Sequence, residues 1–288
     1  MLPEFDLHRP QTLPEALALL AEHAPDARPL AGGTNVIVEL RASRHGKTLV
    51  DVSRLRELRG IRKANGHIVI GGGTTLTELL TDPLIAQHAP ILRDAAAVFA
   101  NPLVRNRATV GGNLADASPA ADTAPPLLAL GAEIELTNQD ASRWAPLQDF
   151  FVGVRKTLIQ PDELLAAIRW STPSPHSASA YYKVGLRKAD AISVLSAAVM
   201  VERDENGRCR NARIALGAVA PRPIRAATAE AVLQGQSLKA DVIAEAAHLA
   251  AEATRPIDDI RATAAYRKRV TEVVVRRLLT QIAEAVGR

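Results

Sequence analysis

Two short segments, Leu30-Ala31-Gly32-Gly33-Thr34-Asn35 and Thr109-Val110-Gly111-Gly112-Asn113, constrain this chain more than any other feature, because each sets a glycine pair beside a threonine and an asparagine. Paired glycines let a backbone approach a ligand closely and aim N–H groups at an anion, while Thr and Asn add neutral donors. A diphosphate suits such a site. Neither segment has the G-x-G-x-x-G spacing of a dinucleotide fold or the Gly-Lys-Ser/Thr ending of a P-loop, so both of those readings are set aside. A single glycine pair marks only a tight turn; it is the repetition of the whole pattern that points to a ligand. Ser118-Pro119-Ala120-Ala121-Asp122 follows the second segment and brings a carboxylate nine residues after Asn113, where it can accept from ligand hydroxyls away from phosphate.

The surroundings read as alternating short helices and strands. Thr12-Leu13-Pro14-Glu15 and Thr75-Leu76-Thr77-Glu78 have the form of capping boxes, and Leu13, Leu17 and Leu20 repeat at helical spacing up to about His23. Apolar runs at Thr48 to Val52, His67 to Ile70 and Ala132 to Thr137 read as strands, the second ending in Gly71-Gly72-Gly73; Pro90 to Phe99 reads as a helix. Ser171 to Ser177, with two prolines and three serines, has linker composition and divides the chain. Beyond it, Ile192 to Val201 and Arg208 to Ala218 form a predicted hairpin around Asp204-Glu205-Asn206-Gly207. The last helix is expected to bury Tyr266, Val270, Val273, Val274, Leu278 and Ile282, with Arg267 and its basic neighbours mostly on other faces.

Composition narrows the chemistry. With 47% hydrophobic and 23% charged residues, 288 residues suit a soluble protein of two domains. One cysteine, Cys209, excludes an internal disulfide and any iron–sulfur cluster or multi-thiolate zinc site within the chain. The seven histidines, His45 among them, lack the close spacing of a metal site, and no G-x-S-x-G elbow occurs. A net charge of +4 spread along the chain, with 3% aromatics, argues against nucleic acid. The N-terminal residues do not have the form of a signal peptide, and no apolar run approaches the roughly 20 residues that cross a bilayer, so a cytoplasmic location without membrane attachment is expected.

Taken in order, Pro29 to Val36, Thr109 to Asn113 with Ser118 to Asp122, and Phe150-Phe151-Val152-Gly153-Val154-Arg155-Lys156-Thr157 resemble the FAD-binding medium subunit of molybdenum hydroxylases, the family of bacterial xanthine and CO dehydrogenases. The resemblance covers nearly the whole chain. It implies an α+β fold: a two-part FAD-binding domain of the vanillyl-alcohol oxidase-like (PCMH) type over residues 1–172, then a smaller α+β domain like the CO dehydrogenase flavoprotein C-terminal domain over 178–288. It further implies that Pro29, Leu30, Ala31, Gly32, Gly33, Thr34, Asn35 and Val36 cradle the FAD diphosphate, with Thr109, Gly111, Gly112 and Asn113 as a second set of contacts. Asp122 is implied at the ribityl or adenosine hydroxyls, Phe99 beside the isoalloxazine, Leu165 around the adenine and Lys183 near the flavin edge; on residue type alone, Lys183 is a strand lysine that points to water. Asp190 is implied beside the flavin, and Ala191 stands where some CO-oxidising relatives have tyrosine.

The same resemblance implies a molybdenum-cofactor large subunit and a 2Fe-2S small subunit as partners, assembled as a dimer of heterotrimers, with electrons relayed through FAD to an external acceptor and no catalytic residue or metal in this chain. A self-contained FAD-dependent oxidoreductase on the same fold and a non-catalytic nucleotide-binding module are the rival readings. A β-branched residue at Gly32 or Gly112 is expected to occupy the diphosphate's space and to leave a folded chain without flavin.

Overall fold

The computed structural model describes residues 2–42 and 48–285; His45 lies outside them. β1 (Asp6–His8), α1 (Leu13–Glu22), β2 (Ala27–Leu30), α2 (Val36–Ala42) and β3 (Thr48–Asp51) form a small α/β layer whose parallel strands lie in the order β1-β3-β2. Thr12 caps α1 by accepting from the Glu15 amide, whereas the Glu15 carboxylate reaches back to Gln11 instead of completing the box. Leu17 and Leu20 of α1 bury against Val50, Val52 and Leu58.

A second layer begins with β4 (Ile61–Ala64) and β5 (His67–Gly71). Five short helices follow: α3 (Leu76–Thr81), α4 (Pro83–His88), α5 (Pro90–Ala97), α6 (Pro102–Arg105) and α7 (Val110–Ala115). Then come α8 (Ala124–Leu130), β6 (Glu133–Thr137), β7 (Ser142–Pro146), α9 (Leu147–Phe150), the small β8 (Phe151–Gly153) and β9 (Lys156–Thr157) pair, and β10 (Leu164–Ser171). The antiparallel sheet is ordered β4-β5-β10-β6-β7. The Thr75 box at α3 is complete: its hydroxyl accepts from the Glu78 amide, and the Glu78 carboxylate accepts from the Thr75 amide at 2.6 Å. β10 carries a register shift between Leu165 and Ala167, a bulge that re-aims the side chains around it.

The remaining chain builds a third sheet, β11 (Ser177–Val184), β12 (Leu195–Arg203), β13 (Cys209–Gly217) and β14 (Ile224–Arg225), followed by α10 (Ala227–Leu233), α11 (Ala240–Glu252) and α12 (Ala264–Ala285). β12 is buried on both faces, which explains its unbroken apolar run. Ala197, Val199 and Val201 pack with the three helices, while Ala198 and Met200 join the core of the preceding layer beside Leu127 of α8.

Two sequence expectations change here. Arg267 of α12 is buried at 4% exposure and Tyr266 is exposed. The Arg267 guanidinium donates to the carbonyls of Ala218 and Val194 and to Asp259 Oδ1 at 2.6 Å, so a charge read as facing outward is an internal tie. The glycines of Thr109 to Asn113 form no open turn; Thr109 is the N-cap of α7, its hydroxyl accepting from the Gly112 amide at 3.1 Å. A threonine that satisfies an early helix amide outweighs the low helix propensity of two glycines.

Candidate functional site

Backbone segments from distant parts of the chain meet at van der Waals limits or closer than any side chain would allow. A Cβ on Gly32 would stand 1.9 Å from the carbonyl oxygen of Arg107, and one on Gly111 would stand 2.6 Å from the carbonyl oxygen of Gly72. That Gly72 carbonyl accepts from the Gly111 amide at 2.9 Å, and the Gly72 amide donates to Ala166 at the β10 bulge at 2.7 Å. The result joins the bend after β2, the start of α7, the end of β5 and the bulge of β10 around one cavity of about 380 Å³, within the usual range for small-molecule sites.

The two glycine segments contribute differently. At α7 the amides are used inside the protein: Val110 donates to Thr74, Gly111 to Gly72, Gly112 to the Thr109 hydroxyl and Asn113 to the Thr109 carbonyl. At the bend, the amides of Gly32, Gly33, Thr34 and Asn35 have no acceptor among the described residues. The expectation that both segments aim backbone amides at a diphosphate is therefore corrected. The first segment offers amides; the second offers side chains, with Asn113 turned so that its Oδ1 accepts from the Thr123 hydroxyl at 2.6 Å and the Thr123 amide at 3.2 Å. The reason given for Gly32 also changes, because its missing Cβ makes room for Arg107 and not for a ligand.

Pro29, Ala31 through Val36, Phe99, Thr109, Gly111, Gly112, Asn113 and Leu165 all line the cavity. Leu30, Asp122 and Lys183 do not. Asp122 and Lys183 instead meet each other, with Nζ 2.6 Å from Oδ2 and both side chains more than nine-tenths buried. Burial pushes the Asp122 carboxyl above its ordinary value while Lys183 and Ser193, both hydrogen-bonded to it, pull it down. Lys183 Nζ also donates to the Val98 carbonyl at 3.3 Å, so this lysine points inward and steadies the residue before Phe99. Asp190 is exposed, with φ of 50° and its amide on the Ala100 carbonyl.

The cavity wall also contains residues that motif reading passed over: Gly72 and Gly73, Arg28, Asp116, and the Gln160-Pro161 stretch with Glu163. The Gly71-Gly72-Gly73 run was a visible signal, but a strand end accounts for it equally well. The two acidic groups are tied to arginines outside the wall. Arg143 grips Glu163 through Nε at 2.8 Å and Nη2 at 2.9 Å. Burial raises the Glu163 carboxyl, but Arg143 and the Gln160 amide outweigh it and hold the group below its usual range. Arg155 bridges Asp116 Oδ1 at 3.0 Å and Glu39 Oε1 at 2.6 Å, and Arg28 holds the other Glu39 oxygen at 2.8 Å. Among the described lining residues, Arg28 is the cation. Unused amides, an arginine, neutralised carboxylates and the apolar Phe99 and Leu165 fit a long anionic ligand with a flat ring at one end.

Residues 3–170 match the family described as the FAD binding domain in molybdopterin dehydrogenase, and residues 180–282 match the CO dehydrogenase flavoprotein C-terminal domain. A putative xanthine dehydrogenase FAD-binding subunit of Escherichia coli K12 is 34% identical, over 97% of this chain and 96% of its own. The carbon monoxide dehydrogenase medium chain of Afipia carboxidovorans is 36% identical over 96% of each. A chain of a solved Cu,Mo-CO dehydrogenase superposes with a TM-score of 0.94 at 35% identity, covering 99% of both chains.

Proposed function

The chain belongs to the family of FAD-binding subunits of molybdopterin dehydrogenases, and from that premise we propose that it binds one FAD in the cavity between the two glycine segments and relays electrons through it to an external acceptor. It is one subunit of a multi-subunit oxidoreductase. The observation that carries the reading is the row of amides from Gly32 to Asn35, without internal acceptors, on the wall of a cavity that Asn113 and Phe99 also line.

The residues divide the binding work. The Gly32 to Asn35 amides and Arg28 receive the diphosphate, because N–H donors and one guanidinium compensate its charge without a metal, and the Asn113 carboxamide adds a neutral donor to the dinucleotide. Arg155 and Arg143 keep Asp116 and Glu163 from repelling it. Phe99 and Leu165 provide apolar surface that excludes water from ring systems. Asp122 and Lys183 act one layer behind, holding the Val98 carbonyl next to Phe99. Bound FAD supplies the redox chemistry, accepting electrons singly or in pairs.

Residues 1–172 form the cofactor-binding unit and 178–288 the second, a division supported by the change of sheet between β10, ending at Ser171, and β11, beginning at Ser177. The partners are a large subunit with the molybdenum cofactor and a small subunit with 2Fe-2S clusters, two such heterotrimers making the cytoplasmic enzyme. Among the described residues no helix is long and apolar enough to cross a membrane.

Co-expression of the chain with its neighbouring subunits tests this directly. The purified particle is expected to carry one FAD per copy of this chain, together with molybdenum and iron. A folded, colourless chain that takes up no added FAD overturns the cofactor assignment, and a yellow chain that oxidises substrate alone overturns the subunit role.

A further inference from the structure

Thr123 stands at the N-cap of α8, where a threonine hydroxyl ordinarily accepts from the amide of the second or third helical residue. Those residues are Pro125 and Pro126, which have no N–H, and the hydroxyl makes no capping bond. It donates instead to Asn113 Oδ1 at 2.6 Å, and the Thr123 amide donates to the same oxygen at 3.2 Å. A backbone N–H can only donate, so the Asn113 atom facing it is the carbonyl oxygen. Its NH2 end is thereby turned away from Thr123. That nitrogen has no partner among the described residues and is not among the buried unpartnered atoms, and Asn113 lines the cavity.

We propose that Thr123 is a positioning residue for the cofactor: it locks the Asn113 carboxamide so that the NH2 group is presented to the cavity as a donor to an acceptor oxygen of the dinucleotide. Thr123 itself is fully buried and does not line the cavity. Without the shorter hydroxyl bond the carboxamide is held by the amide alone at 3.2 Å, so it samples other orientations and a ligand must order it on binding. The acceptor is an oxygen of the diphosphate or a carbonyl of the flavin ring. This inference rests on the proposed FAD site.

The test measures FAD affinity of the full chain, stripped of flavin, by quenching of flavin fluorescence, alongside its thermal midpoint without ligand. Thr123→Val, which keeps the volume and removes the hydroxyl, is expected to weaken FAD about tenfold, and Thr123→Ser to stay within about twofold of native. In the Asn113→Ala background, Thr123→Val is expected to change affinity less than about twofold, since the group it orients is gone. An equal loss in both backgrounds, or native affinity in Thr123→Val, overturns the proposal. Should Thr123→Val not fold, Asn113→Asp replaces the presented NH2 by oxygen, and native affinity in that variant is equally fatal. With ADP and FMN titrated by calorimetry, an equal loss for ADP assigns the donor to the diphosphate; a loss for FMN with none for ADP assigns it to the flavin portion. A native chain that binds no FAD refutes the family-based site itself, before any variant is compared.

Discussion

Gly32 lies so close to the Arg107 carbonyl that a Cβ at that position would stand 1.9 Å from the oxygen, while a Cβ on Gly112 would meet only the Thr109 hydroxyl, at 2.8 Å. The first obstacle is backbone, in the short connection between α6 and α7; the second is the end of a side chain that can rotate away. Gly32→Ala is therefore expected to push the bend off α7 and cost about 3 kcal/mol or more, losing flavin because the cavity wall itself is displaced. Gly112→Ala should be nearly neutral, the lost Thr109 cap of about 1 kcal/mol being offset by alanine's better helix propensity, and leave a folded chain. Urea unfolding of the two variants measures the difference, and equal stabilities would contradict the close approach.

The Lys183 and Asp122 pair predicts a second asymmetry. Both side chains are more than nine-tenths buried, so removing one leaves the other charged without compensation. Lys183→Met is expected to destabilise by about 3–5 kcal/mol, and Asp122→Asn combined with Lys183→Met to recover much of that loss. Denaturant midpoints of the single and double variants decide the matter. Additive losses would mean that each residue is held by its other contacts, Ser193 for the aspartate and Val98 for the lysine.

Local chemistry was legible in the sequence wherever a few adjacent residues settle it. The Thr75 capping box, the Asp204 to Gly207 turn between β12 and β13, and most of the cavity wall could be read because glycine, threonine and asparagine act within one turn of chain. What escaped depends on partners far away in sequence. Lys183 and Asp122 are 61 residues apart, and nothing near either one reveals that both are buried. Periodicity placed Arg267 outside because charge is read as solvent-seeking, yet carbonyls at Ala218 and Val194 converge on its guanidinium. The N-cap at Thr109 was hidden by the glycines beside it, whose usual meaning is a turn.

Arg267 also yields a prediction in pH. Burial alone would raise the Asp259 carboxyl, but the amides of Arg261 and Ala262 and the Arg267 guanidinium hold it down at about 2, against an ordinary 3.8. A carboxyl whose folded value is depressed stabilises the protein fully above its unfolded value and loses that contribution as pH falls through the folded one. The stability gap between native protein and Asp259→Asn should thus be constant above about pH 5, narrow from about pH 4, and be nearly closed towards pH 2. Arg267→Met should remove only part of that pH dependence, since the Arg261 and Ala262 amides still hold the carboxyl down, and add a loss of its own at neutral pH, because the Ala218 and Val194 carbonyls lose their buried donor. Urea midpoints of the three proteins across pH 2.5 to 6 measure both effects. A gap that stayed constant to the acid end would show that Asp259 titrates alike in the folded and unfolded chains, and that its contact with Arg267 contributes nothing to the hold on α12.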